Sequence, residues 1–125
     1  MDLIKKYIDS AIELENINQE GLSYRNNLNR NNRLADKLRN IAKTIESRQP
    51  EYRREFAGLL NHDNSNVRIW CAHHMLEVMT YDDVDRKNAL LIIIHSSTED
   101  TPNGIGNKYW LKDWFTKNPQ DKLLL

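Results

Sequence analysis

The sequence predicts an all-α domain of about six helices stacked as antiparallel hairpins, and three observations carry that reading. Apolar residues recur at spacings of three and four along most of the chain, which places them on one side of a helix. The breaks between these stretches are short and built from Asn, Asp, Ser, Gly and Pro, the residues that turn or cap a chain. The one strand-like run, residues 89–94, has no second strand-like segment to pair with, and a lone strand is not viable.

The first helix opens at Leu3 and carries Leu3, Ile4, Tyr7, Ile8, Ala11, Ile12 and Leu14 as its apolar stripe. Gly21 interrupts it, and Ser23 is placed to cap a second helix. That helix buries Leu34, Leu38, Ile41 and Ile45 with Ala35 and Ala42 alongside, and turns Arg25, Arg30, Arg33, Lys37, Arg39 and Lys43 outward. Pro50 ends it or begins the next helix, residues 51–60, with Tyr52, Phe56, Leu59 and Leu60 on one side. Residues 61–66 are all of turn or cap type. A fourth helix over residues 67–79 is apolar on two sides (Val67, Cys71, Met75 and Val78; Ile69, Ala72, Leu76 and Met79), as a helix packed between neighbours must be. Asp82 or Asp83 caps a fifth helix holding Val84 and the run 89–94. Residues 96–107, with Thr101-Pro102-Asn103-Gly104, read as a loop. The last helix gathers Tyr109, Trp110, Leu111, Trp114 and Phe115, and Asn118-Pro119 stops it. Leu123, Leu124 and Leu125 either dock on it or fray.

At 125 residues the chain fits a single domain, residues 1–125. It is long enough to bury roughly two-thirds of its unfolded surface without a metal or disulfide. Charged residues make up 29% and the apolar set 39%, a polar composition that still lies above the disordered range. Eighteen basic residues balance eighteen acidic ones, which argues against bulk electrostatic binding to nucleic acid or membranes. The single cysteine, Cys71, cannot close an internal disulfide, and the charged first two turns lack an apolar signal core, so a cytoplasmic location is expected. The longest apolar run has six residues, far short of a membrane span.

One segment is more specific. Residues 56–72 read as a helix ending in Leu59-Leu60, a polar turn containing Asp63, then Val67-Arg68 and the small pair Cys71-Ala72 where two helices must approach closely. This resembles the core of a HEAT-type repeat. A weaker second unit runs from Arg86 through Phe115 with Gly104 and Gly106 in its turn. Residues 32–38 with Ile41-Ala42, residues 59–72, and the aromatic ending Tyr109-Trp110-Leu111-Lys112-Asp113-Trp114 together resemble a family of small bacterial HEAT-like proteins catalogued as a domain of unknown function. Some members sit beside contact-dependent-inhibition or Rhs-type polymorphic toxins and look like their immunity proteins. The resemblance implies a HEAT-like superhelix, no enzymatic activity, no cofactor and a cognate toxin C-terminal domain as partner.

Trp70, His73 and Glu77 fall at i, i+3 and i+7, with Tyr81 four residues later, so the spacing puts them on one face of the fourth helix. The second helix of a stacked hairpin lines the concave surface of such proteins, where Trp70 would be a binding hot spot; packing against the last helix as core is the competing account. His74 and Glu77 alone are within reach of one ion, too few ligands for a metal site, so no metal is expected. Cys71 reads as a small core residue and Arg68 as a partner of Asp63 or of a neighbouring turn. Charge is uneven: residues 21–60 hold 9 basic and 4 acidic residues, residues 61–107 hold 3 and 7. Glu77, Asp82, Asp83, Asp85, Glu99 and Asp100 make an acidic end that would steer the protein onto a basic nuclease toxin. The expected binding residues are therefore Trp70, His73, Glu77, Tyr81, Asp82, Asp83 and Asp85. Two rival readings remain: nucleic-acid binding through the basic second helix, which lacks interleaved aromatics, and a general protein-interaction scaffold. No nucleophile–base pair, phosphate loop or acid pair suggests an enzyme or a small-molecule substrate.

Overall fold

The computed structural model describes residues 2–20 and 25–125, so the interruption at Gly21 and the cap at Ser23 lie outside the described residues. Six α-helices occupy the described chain: α1 (Leu3–Glu20), α2 (Arg25–Arg48), α3 (Arg53–Ala57), α4 (Ser65–Glu77), α5 (Asp83–Ser97) and α6 (Pro102–Lys117). Short 3-10 segments cover Pro50–Tyr52, Gly58–Asn61 and Pro119–Leu124, and no strand occurs among the described residues.

Asp2 starts α1, its Oδ1 accepting from the backbone N–H groups of Ile4 and Lys5. α1 and α2 run antiparallel. Near their connected ends Asn31 Nδ2 donates to Asn18 Oδ1 at 2.7 Å and Arg30 pairs with Glu13 at 3.0 Å. Towards the far ends Leu3 and Lys6 lie beside Lys37, Ile41 and Thr44. The stripe read from the sequence is the one buried: Ile4, Tyr7, Ala11 and Leu14 from α1 face Leu38, Ile41, Ala42 and Ile45 from α2, with Ile17 extending the row beyond expectation.

α4 packs against both helices of this hairpin, chiefly α1. Tyr7 bridges α1 and α4, meeting Phe56 edge-on at 4.8 Å and placing its hydroxyl 2.6 Å from His74 Nδ1. Asn66 Nδ2 donates to the Ala11 carbonyl at 2.7 Å, fixing α4's start. α5 then packs against α4, and α6 against α5, around one continuous core.

Three expectations needed correction. The segment 51–60 is not one helix but a 3-10 turn, a five-residue α-helix and a second 3-10 turn. Three residues per turn shift the phase, so Tyr52 is 41% exposed while Phe56, Leu59 and Leu60 are buried. The fourth helix begins two residues earlier, where Asn64 Oδ1 accepts from the N–H groups of Asn66 and Val67, and it ends at Glu77. Residues 96–107 are not a loop. Thr101 Oγ1 caps α6 by accepting from Gly104 N at 3.0 Å, and Pro102 occupies the first turn, where its missing N–H costs nothing. Gly104 and Gly106 therefore sit inside α6 rather than in a turn. A Cβ on Gly104 would stand 2.1 Å from the Glu99 carbonyl oxygen, so the glycine permits a close approach of α6 to the end of α5.

The rest follows the sequence. Asp82 caps α5, its Oδ1 2.9 Å from Asp85 N, and residues 89–94 are helical, with Ala89, Leu90 and Ile93 buried. Arg68 reaches back to the turn as expected, but to the backbone carbonyls of His62 and Asp63 rather than to a carboxylate. Cys71 is fully buried, its Sγ 3.3 Å from the Phe56 carbonyl, and burial pushes its thiol pKa up. The C-terminal turn docks through Asp121, whose buried Oδ2 accepts from Trp114 Nε1 at 2.8 Å and from Arg86 of α5. Leu124 packs on the core and Leu123 is 87% exposed. No helix among the described residues is long and apolar enough to cross a membrane.

Candidate functional site

α4 and α6 do not close fully on each other, and between them lies a groove of about 330 Å³. α4 lines it with Asn66, Ile69, Trp70, His73 and Glu77; α6 with Pro102, Asn103, Gly106 and Asn107; Asn18 contributes from α1. Each helix supplies these at spacings of three and four, so each set is one face. The volume suits a few inserted side chains.

The floor is rigid. His73 Nε2 lies 2.8 Å from Asn107 Oδ1, and Asn107 Nδ2 donates to Ser96 Oγ at 2.8 Å. With the Asn107 oxygen facing the ring, His73 donates through Nε2 and the neutral imidazole keeps a lone pair on Nδ1. The His73 ring stands edge-on to Trp110 at 4.4 Å, and Trp110 stacks on Trp114 at 4.9 Å. Trp110 Nε1 donates to Glu77 Oε1 at 2.9 Å, while Arg39 of α2 approaches Glu77 Oε2 at 3.8 Å. Behind the groove wall His74 stacks on Trp70 at 5.6 Å and accepts the Tyr7 hydroxyl in the core.

Burial governs the electrostatics here. It lowers the His73 pKa, against the opposing pull of its bond to Asn107 and of Glu77. It brings His74 down to about 3, with His73 and Arg39 adding to the effect, and it raises Tyr7 well above its ordinary value. Both histidines are thus neutral hydrogen-bonding groups at neutral pH.

Of the residues expected to act together, the groove joins Trp70, His73 and Glu77. Trp70 is half-buried, stacked on His74 of its own helix rather than seated in the core against the last helix, and it forms part of the groove wall. Tyr81 lies elsewhere: α4 ends before it, its ring is buried, and its hydroxyl donates to the Arg53 carbonyl at 2.8 Å. Asp85 is buried as well. Its two oxygens take both terminal nitrogens of Arg54 at 2.8 and 2.6 Å, and that guanidinium holds its carboxyl below the ordinary value. It borders a different surface depression with Arg54, Asn88 and Leu91. Asp82 is spent on capping α5, and Asp83 is exposed beside it. The acidic end is therefore thinner than its residue count suggests. His74 and Glu77, the pair within reach of one ion on the helix, point apart: one into the core, the other to Trp110. Among the described residues no three His, Cys, Asp or Glu side chains gather as a metal-ligating group.

The α6 wall was not foreseen, because reading residues 96–107 as a loop hid Pro102, Asn103, Gly106 and Asn107. The signal that locates it is Thr101-Pro102, a cap followed by a first-turn proline.

Comparison with known proteins returns no matching curated protein and no matching solved structure. A family model described as a domain of unknown function (DUF2019) matches residues 2–99, which includes α1 to α5 and leaves α6 outside the matched stretch. Because that match spans most of its length, the chain belongs to the DUF2019 family.

Proposed function

We propose that this protein is a non-enzymatic, HEAT-like immunity protein that binds a cognate bacterial toxin domain and neutralises it by covering its active site. The HEAT-like reading is supported by the burial of Leu59, Leu60, Val67, Cys71 and Ala72, the positions that the repeat signature assigns to the close helix contact. The observation that carries the binding role is the groove between α4 and α6. It offers a half-buried tryptophan held from behind, a neutral histidine and one carboxylate along α4, faced by the Pro102–Asn107 wall of α6, the composition of a protein-recognition hot spot. The toxin assignment comes from the family resemblance in the sequence. Steering onto a nuclease loses most of its support, since Asp85 is neutralised by Arg54 and Asp82 is committed to a helix end. The nucleic-acid reading is weaker, because α2 carries no aromatic side chain for bases to stack on.

The test is co-expression with the C-terminal domain encoded by the neighbouring open reading frame. A stable one-to-one complex that restores growth supports the proposal. Failure of a toxic neighbour to co-purify, or growth arrest unrelieved by this chain, refutes it.

A further inference from the structure

We infer that the groove between α4 and α6 receives an arginine side chain of the partner protein, stacked on Trp70 with Glu77 as its counter-charge. The inference rests on the reading of this groove as the partner-binding surface. Its first support is the lining itself: Glu77 is the sole charged side chain among Asn18, Asn66, Ile69, Trp70, Glu77, Asn103 and their neighbours. A carboxylate in a part-apolar groove, opposed only by Arg39 at 3.8 Å, calls for a closer cation.

The second support is the accounting of hydrogen-bond donors. His73 spends its Nε2–H on Asn107, Asn107 one of its two amide N–H groups on Ser96, Asn66 one of its two on the Ala11 carbonyl and Trp110 its indole N–H on Glu77. These side chains leave three acceptors uncommitted or weakly held, His73 Nδ1, Asn66 Oδ1 and Glu77 Oε2, beside a second amide N–H on each of Asn66 and Asn107. A planar guanidinium with five donors can engage these three acceptors together, whereas a carboxylate or phosphate would be repelled by Glu77. The amide N–H groups left on Asn18 and Asn103 suit the backbone carbonyls flanking such a side chain.

Third, the present neighbour of Glu77 Oε2 is displaceable. Arg39 stands 3.8 Å away and its side chain is 46% exposed, a contact of little energy. Trp70, stacked on His74, supplies a fixed aromatic face for cation–π contact. Neutral His73 adds no repulsion.

The experiment follows the three indole N–H signals of the full chain by two-dimensional NMR during titration with the peptide acetyl-Gly-Arg-Gly-amide, and with its citrulline counterpart, which keeps the shape and loses the charge. Trp114, whose indole N–H is bound to Asp121, is the internal control. The expected result is a saturable shift of Trp70 and Trp110 with Trp114 still, and about tenfold weaker response to citrulline. Glu77→Gln, whose amide oxygen still accepts from Trp110 and so preserves the fold, lowers the arginine-peptide affinity, and Arg39→Ala raises it. Equal responses to the two peptides, no saturable shift, or an unaffected Glu77→Gln variant overturns the inference. Because the probe needs no toxin, a failed complex and a failed arginine site give separate readings.

Discussion

Acid should unfold this protein through His74. The ring is buried between α1 and α4, accepts the Tyr7 hydroxyl, and titrates at about 3 in the folded chain because burial disfavours its charged form. In the unfolded chain it takes up a proton near the ordinary value of about 6.5. Above that value both states are neutral and the group contributes nothing to the pH dependence. Below it the unfolded chain binds the proton and the folded chain does not, so stability falls as pH falls, and the decline stops only near pH 3. At about pH 4.5, two units below the unfolded value, the loss is roughly 3 kcal/mol, at 1.4 kcal/mol per unit. His73, lowered for the same reason, acts in the same direction. Asp85, held low by Arg54, releases its share only below the ordinary carboxylate range. Urea unfolding followed by circular dichroism at about pH 7.5 and pH 4.5 measures the difference directly. His74→Gln, which cannot be protonated, starts less stable at neutral pH but loses about 3 kcal/mol less on acidification. A wild-type change under about 1 kcal/mol, or an undiminished change in His74→Gln, would refute the reasoning.

Three further outcomes are expected. Asp121→Ala strips the acceptor from the Trp114 indole and from Arg86, whose side chain is only 20% exposed, and should cost about 3 kcal/mol in urea unfolding, with Asp121→Asn losing less. Gly104→Ala drives a methyl group into the Glu99 carbonyl and should lower the stability by about 1–3 kcal/mol, whereas Gly106→Ala, with open space at its Cβ, should gain up to about 1 kcal/mol. Trp70→Ala should abolish partner binding in calorimetry while costing less stability than Phe56→Ala, which empties a fully buried position worth about 3–5 kcal/mol.

Periodicity made most of the fold legible. Tyr7, Leu14, Leu38, Ile45, Met75 and Ile93 are buried where spacings of three and four put them, and residues 89–94 are helical despite their strand-like composition. The losses have physical causes. The tightening of residues 50–61 into 3-10 turns depends on how that segment packs, and local propensity does not encode it. Thr101-Pro102-Asn103-Gly104 carries a turn's composition and a helix cap's geometry, and reading the first concealed a wall of the groove. Of the expected binding residues, Trp70, His73 and Glu77 needed only helical spacing and came together. Tyr81 and Asp85 required knowing where α4 stops and that Arg54 lies opposite Asp85, facts of tertiary packing.

The most direct test of the proposed binding surface is hydrogen–deuterium exchange of the protein alone and in complex with the proposed partner, the C-terminal domain encoded by the neighbouring open reading frame. The account predicts new protection across α4 and the first three turns of α6, with exchange along the outer face of α2 unchanged. Protection confined to α2, with α4 and α6 exchanging as in the free protein, would contradict it.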